Sequence, residues 1–257
     1  MFDEKYLMNE NKRPILEYMQ ELDELIEIAI EEKMYEYGFE PALELRHIAN
    51  QYFPSYHVYR AMASFRVGFL YYVIGLGKES KQELKRALRI LDRYPEEFVC
   101  ERFEIRHLYY HASILTGNKD EIIKAANTLL EDPCLNTRLE IRIYLNLARQ
   151  HAFGKGKHLG LMDKYLTKAK YLLTIYNLTH TIDYQEAIYL SAIYAMEIDD
   201  PHRALKLSEY LQSIIDVDSE VDDRMNQLYR RVTRLIAMIE HQLNHKQKPK
   251  EPSLMVN

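Results

Sequence analysis

Apolar residues recur at steps of three and four along this chain. In "ILEYMQELDELIEIAI" the positions are Leu16, Met19, Leu22, Leu25 and Ile26, the spacing of one helix face. The pattern predicts a first helix over residues 12–34, with Pro14 suited to its first turn. A short second helix comes after "YGFEP", over about 41–52. "YFPSY" then breaks the chain, because Pro54 forces its predecessor out of the helical region.

From there a long apolar helix alternates with a shorter amphipathic one. "YRAMASFRVGFLYYVIG" pairs with "ESKQELKRALRILDR", and "EEFVCERFEIRHLYYHASILTG" with "KDEIIKAANTLLE". "TRLEIRIYLNLARQHAFGKGK" pairs with "LMDKYLTKAKYLLTIY", and "TIDYQEAIYLSAIYAMEID" with "DPHRALKLSEYLQSII". The short helices align on Ala87, Ala125, Ala169 and Ala204, at offsets of 38, 44 and 35 residues. A small residue recurs there because each short helix must pack closely on its long partner. A period near the 34 residues of tetratricopeptide repeats predicts an all-α fold: a tetratricopeptide-like α-solenoid, a right-handed superhelix of helical hairpins. One repeat domain is expected over 1–245, closed by a helix at 220–245 that carries Arg230, Arg231 and Arg234. A polar, disordered tail is expected at 246–257.

Composition sharpens this picture. The 257 residues include 21 Tyr but only 8 Gly and 8 Pro, too few turn formers for a sandwich or barrel. A net charge of −5 argues against direct DNA binding of the usual basic kind. The two cysteines, Cys100 and Cys134, suggest no disulfide scaffold. No apolar h-region opens the chain and no run reaches membrane-spanning length, so the expected setting is the cytoplasm, away from membranes.

Candidate chemistry is sparse. The pairs His107/His111 and His241/His245 have a chelating i,i+4 spacing, but each lacks a third ligand. "GKGKHLG" misses the phosphate-loop spacing. "DVDSEVDD", at 216–223, lacks the Gly and Glu of a calcium loop and suits a turn and helix cap. No nucleophile constellation can be assembled, so the expectation is a non-enzyme without cofactor or metal; the weakest alternative is an enzyme whose site is assembled from separate repeats. What stands out is arginine. Arg138, Arg142 and Arg149 share one face of the third long helix. Arg102, Arg106, Tyr109 and Ser113 share a face of the second, and Asp183, Glu186, Ser191 and Tyr194 add mixed polarity on the fourth. Guanidinium and tyrosine along a groove suit an extended peptide. Ion pairing with Glu101, Glu104 and Glu140 on a solvated face accounts for the same spacing, and periodicity leaves both readings open.

"YPEEFVCERFEIRHLYYHASIL" and "YLTKAKYLL", with "MFDEKYLMNENKRPILEYMQ" near the start, resemble segments of the arbitrium receptors of SPbeta-group Bacillus phages. The similarity spans about residues 1–215 as helix order and scattered identities. Those receptors join a helix-turn-helix domain to a tetratricopeptide-like superhelix and a C-terminal dimerisation element. The superhelix binds a secreted hexapeptide, which releases the receptor from its operator and shifts the phage from lysis towards lysogeny. The resemblance implies a peptide-sensing regulator of the lysis–lysogeny decision. Its partner would be a short signalling peptide or another protein, and a homodimer is an open expectation. It implies no helix-turn-helix here, since the first residues already match the family's segment immediately beyond that domain, and the chain is shorter on the C-terminal side. It places Arg138 at the family's peptide-anchoring arginine. Ser113 and Arg149 fall where the family has asparagines that bond the peptide backbone, which puts a different peptide in view. With Arg142, Arg106 and Tyr109 these complete the expected peptide-binding set. The alternative is a tetratricopeptide-like interaction scaffold with no small peptide ligand.

Overall fold

The computed structural model describes residues 4–6, 10–153, 157–215 and 223–247. Among the described residues there are eleven α-helices, two short 3-10 turns and no strand. The fold is all-α, and its helices form two compact units, Met1–Leu135 and Asn136–Asn257.

In the first unit three hairpins succeed one another: α1 (Arg13–Glu31) with α2 (Tyr35–Tyr52), α3 (Val58–Val73) with α4 (Gly77–Leu91), and α5 (Val99–Thr116) with α6 (Lys119–Leu130). Each packs on the next. In the second unit α7 (Thr137–Ala152) pairs with α8 (Leu159–Ile175) and α9 (Ile182–Glu197) with α10 (Pro201–Ile214). The long α11 (Asp223–Gln247) closes this unit against α10 and α9. Residues 248–257 of the expected tail, and most of the acidic stretch 216–223, lie outside the described residues, whereas Lys246 and Gln247 belong to α11.

Helix ends reflect local chemistry. Asn118 and Asn136 cap α6 and α7 by accepting from the amides of Glu121 and Leu139, at 3.2 and 2.9 Å. Asp200 caps α10, with Pro201 in the first turn, where a missing amide proton costs nothing. Gly117 ends α5 in the left-handed region at φ 67°, where a side chain would be strained. One element differs from expectation: α2 starts six residues before Pro41 and carries that proline inside it. The carbonyl that loses its helical bond belongs to Tyr37, which is 75% exposed, so water can satisfy it.

Packing explains the recurring alanines. Ala87, Ala125, Ala169 and Ala204 are all buried, each on the second helix of its hairpin; the expected long–short order fails in the third pair, where α8 has 17 residues and α7 16. The facing first helix sometimes supplies the small residue instead. A Cβ on Gly68 of α3 would come within 2.9 Å of Leu84 on α4. A buried ion pair fixes the first hairpin to the second: Arg66 donates to Asp23 at 2.6 and 2.9 Å and also pairs with Glu27. Burial pulls the Arg66 pKa down, but the two carboxylates outweigh it and hold the guanidinium charged.

The packing and the caps can each be tested. Ala169→Glu should cost about 3 kcal/mol or more, because it buries an unpaired charge where α8 meets its partner; denaturant unfolding checks this. The second test concerns His57, the N-cap of α3. Burial holds its pKa below the ordinary histidine value, and its Nδ1 accepts from the Tyr59 amide at 3.2 Å, which requires a neutral ring. The unfolded ring takes up a proton below pH ~6.5 and the folded ring resists. Stability is therefore complete above that pH and lost as pH falls below it. Melting from pH 7 to 5.5 should show a smaller loss in His57→Asn, which keeps a cap acceptor without titrating. His107, also lowered by burial, adds a loss of the same sign in both proteins.

Candidate functional site

The second unit carries a continuous polar stripe across three helices. On α7, Arg138, Arg142 and Arg149 fall within about 40° of one another at 100° per residue, and Phe153 follows just past the helix end. Two of these arginines meet carboxylates from α9. Arg142 Nε donates to Asp183 at 3.2 Å, and Arg149 Nη2 to Glu186 at 2.5 Å. Glu186 also receives Arg231 of α11 at 3.2 and 3.3 Å. The Arg231 guanidinium lies 4.2 Å from the Tyr189 ring centre, a cation–π distance. Burial lowers the Arg231 pKa, but Glu186 and Tyr189 outweigh it and hold it above the ordinary arginine value. The Arg149 Nε is buried and has no partner. Arg138, by contrast, is exposed and pairs with no carboxylate among the described residues.

At the far end of the stripe is a mostly apolar cleft of about 510 Å³, lined by Phe153, Tyr189, Met196, Leu235 and Met238, together with Arg231, Arg234 and Glu197. Phe153 is 51% and Met238 63% exposed. Two large apolar side chains left in water beside a cleft mark a docking place more than isolated surface residues do. Sequence reasoning missed this cleft. Met238 and Leu235 belong to α11, and only the fold brings them beside α9.

The expected site residues of the first unit are placed differently. Arg106 donates to Asp132 at 2.9 Å and lies 3.6 Å from Asp92. With Tyr109 it borders a second cleft, of about 450 Å³, that includes Lys85, Glu121 and Lys124. Ser113 corrects the sequence reading: it is fully buried and its hydroxyl donates to the Tyr109 carbonyl, so it offers nothing to a ligand. Arg102 is likewise buried. It donates to the carbonyls of Tyr94 at 2.8 Å and of Pro95, clamping the turn before α5. Glu101, Glu104 and Glu140 are not the arginines' partners; Asp183, Glu186 and Asp132 are. The His107 and His111 rings meet through their Nε2 atoms at 2.9 Å. Among the described residues no group of three ligating side chains surrounds them, and the other pair has His245 outside the side chains described.

The chain matches no protein-family model and none of the curated proteins. It is similar in structure to a putative kinesin light chain from Podosopora anserina with nearly identical tetratricopeptide-like repeats. Two crystal structures of that protein each align with a TM-score of 0.60 at 14% identity. They cover 76% of this chain and 93% and 94% of theirs. The fold is tetratricopeptide-like. At that identity the likeness concerns the arrangement of helices and nothing finer.

Glu186 holds two arginines at once, so its removal should be felt twice. Glu186→Gln is expected to lower stability by about 1 kcal/mol, with all three groups partly exposed. Adding Arg149→Met should cost less than the sum of the two single changes. A double-mutant cycle in urea checks it.

Proposed function

We propose that this protein is a peptide-sensing regulator of the arbitrium-receptor type, serving a phage lysis–lysogeny decision, with its peptide lying along α7, α9 and α11. One observation carries the binding proposal. The same stripe that holds the uncommitted Arg138 ends in an open apolar cleft beside Phe153. The fourteen helical steps from Arg138 to Ala152, the residue before Phe153, span about 21 Å. An extended hexapeptide reaches about 20 Å. A carboxylate at Arg138 and an apolar side chain in the cleft are therefore compatible with one short ligand. Arg142 and Arg149 take a supporting part in this reading, since Asp183 and Glu186 already neutralise them. The sequence resemblance supplies the regulatory context.

A second reading, a scaffold that docks a partner protein's tail, draws support from that same neutralisation, which leaves little free charge to hold a small ligand. The two readings predict different partners for one face.

Calorimetric titration with hexapeptides encoded beside this gene separates them. Arg138→Ala should weaken binding of the matching peptide roughly 30-fold or more, the loss of one guanidinium–carboxylate contact. Arg138→Lys should recover part of it, because a lysine lacks the planar fork. Peptide binding unaffected by Arg138→Ala would reject the anchor. An absence of hexapeptide binding would favour the scaffold.

A further inference from the structure

The first unit holds a feature unrelated to the peptide face. Between α2, α3 and α4 is a cleft of about 230 Å³ lined by Arg60, Arg86, Arg89 and Arg93, with Asn50, Ser55, Ser64 and Ile90. Four cations and no carboxylate form this lining, in a chain of net charge −5. Arg86 and Arg89 are three residues apart on α4, which puts them on one face of it, and Arg93 stands in the turn just beyond its end. Their existing contacts leave most of the charge uncompensated. Arg86 Nη1 lies 2.6 Å from Glu83, but Glu83 also takes Arg46 at 2.6 Å. The Arg60 guanidinium donates to the Phe53 carbonyl, at 3.4 Å, and pairs with no carboxylate among the described residues. Arg93 lies 6.0 Å from the Tyr56 ring. Arg89 pairs with no carboxylate among the described residues.

Like charges gathered without counter-charge repel one another, and a bound anion reverses that. The planar guanidinium fork matches phosphate oxygens in paired hydrogen bonds. The serine hydroxyls and the Asn50 amide add neutral donors. At about 230 Å³ the cleft is less than half the volume of the one beside Phe153, a size that suits a small polyanion. We propose that this cleft binds a small phosphate-bearing anion, a diphosphate group either free or carried by a nucleoside. Tyr56 is 42% exposed beside Arg93 and offers a ring on which a base can stack.

The test titrates the full chain at physiological salt with sodium pyrophosphate, with a nucleoside diphosphate, and with duplex DNA. Saturable one-site binding of pyrophosphate is expected. Arg89→Ala and Arg93→Ala should each weaken it about tenfold or more. Both side chains lie at the surface, so melting temperature should not change, and Arg230→Ala should bind as the wild type does. Tighter binding of the nucleoside diphosphate, lost in Tyr56→Ala, identifies the nucleoside-borne source; equal affinity identifies the phosphate group alone. No pyrophosphate binding at millimolar concentration overturns the proposal. So does binding that neither arginine change weakens, or binding of duplex DNA without pyrophosphate.

Discussion

Close approach of helix backbones is the constraint on which everything else in this protein depends. One helix of a hairpin can bury its apolar face against the other only where a side chain of one carbon, or none, stands at the crossing. Ala87, Ala125, Ala169 and Ala204 meet that requirement on the second helix of each hairpin, and Gly68 meets it on a first one. With the second helices seated this way, the first helices of each unit are brought beside one another, as α7 and α9 are. Their facing polar residues then have to be reconciled, because charge at a helix contact is costly unless paired.

That reconciliation shapes the second unit's candidate face. Asp183 and Glu186 answer Arg142, Arg149 and Arg231, so charge pairing across three helices fixes the side chains in place. Arg138 stands outside the pairing, and an apolar cleft opens at the other end. A fixed stripe with one uncommitted cation and one uncommitted apolar hollow is a preorganised surface: its side chains lose little freedom when a ligand arrives. The first unit solves its charges differently. Arg66 and Asp23 are paired in the interior, and Arg102 is spent on backbone carbonyls. The α4 arginines gather around a cleft with no carboxylate in its lining.

Local features are legible in the sequence, and distant ones are not. Helix order, the alanine period and the break at Pro54 come from spacing and backbone sterics alone. Spacing sets the start of α2 six residues late, because proline ordinarily bars a helix interior, whereas the hydrogen bond lost at Pro41 faces water at Tyr37. The shared face of Arg138, Arg142 and Arg149 is readable because it lies within one helix. Their partners are not, since Asp183 and Glu186 are some forty residues away and only hairpin stacking sets their register. Ser113 has groove spacing, yet its position on the inner side of α5 depends on which neighbours α5 meets. The spacing of Arg86, Arg89 and Arg93 is visible along "KRALRILDR"; the contribution of Arg60 from α3 requires the fold.

The face formed by α7, α9 and α11 is the proposed ligand surface. Amide hydrogen exchange of the full chain, with and without a bound hexapeptide, tests it most directly. Added protection should concentrate in α7, the start of α9 and the middle of α11, with the first two hairpins unchanged. Protection confined to α4 or α6, with α7, α9 and α11 exchanging as in the free protein, would contradict it.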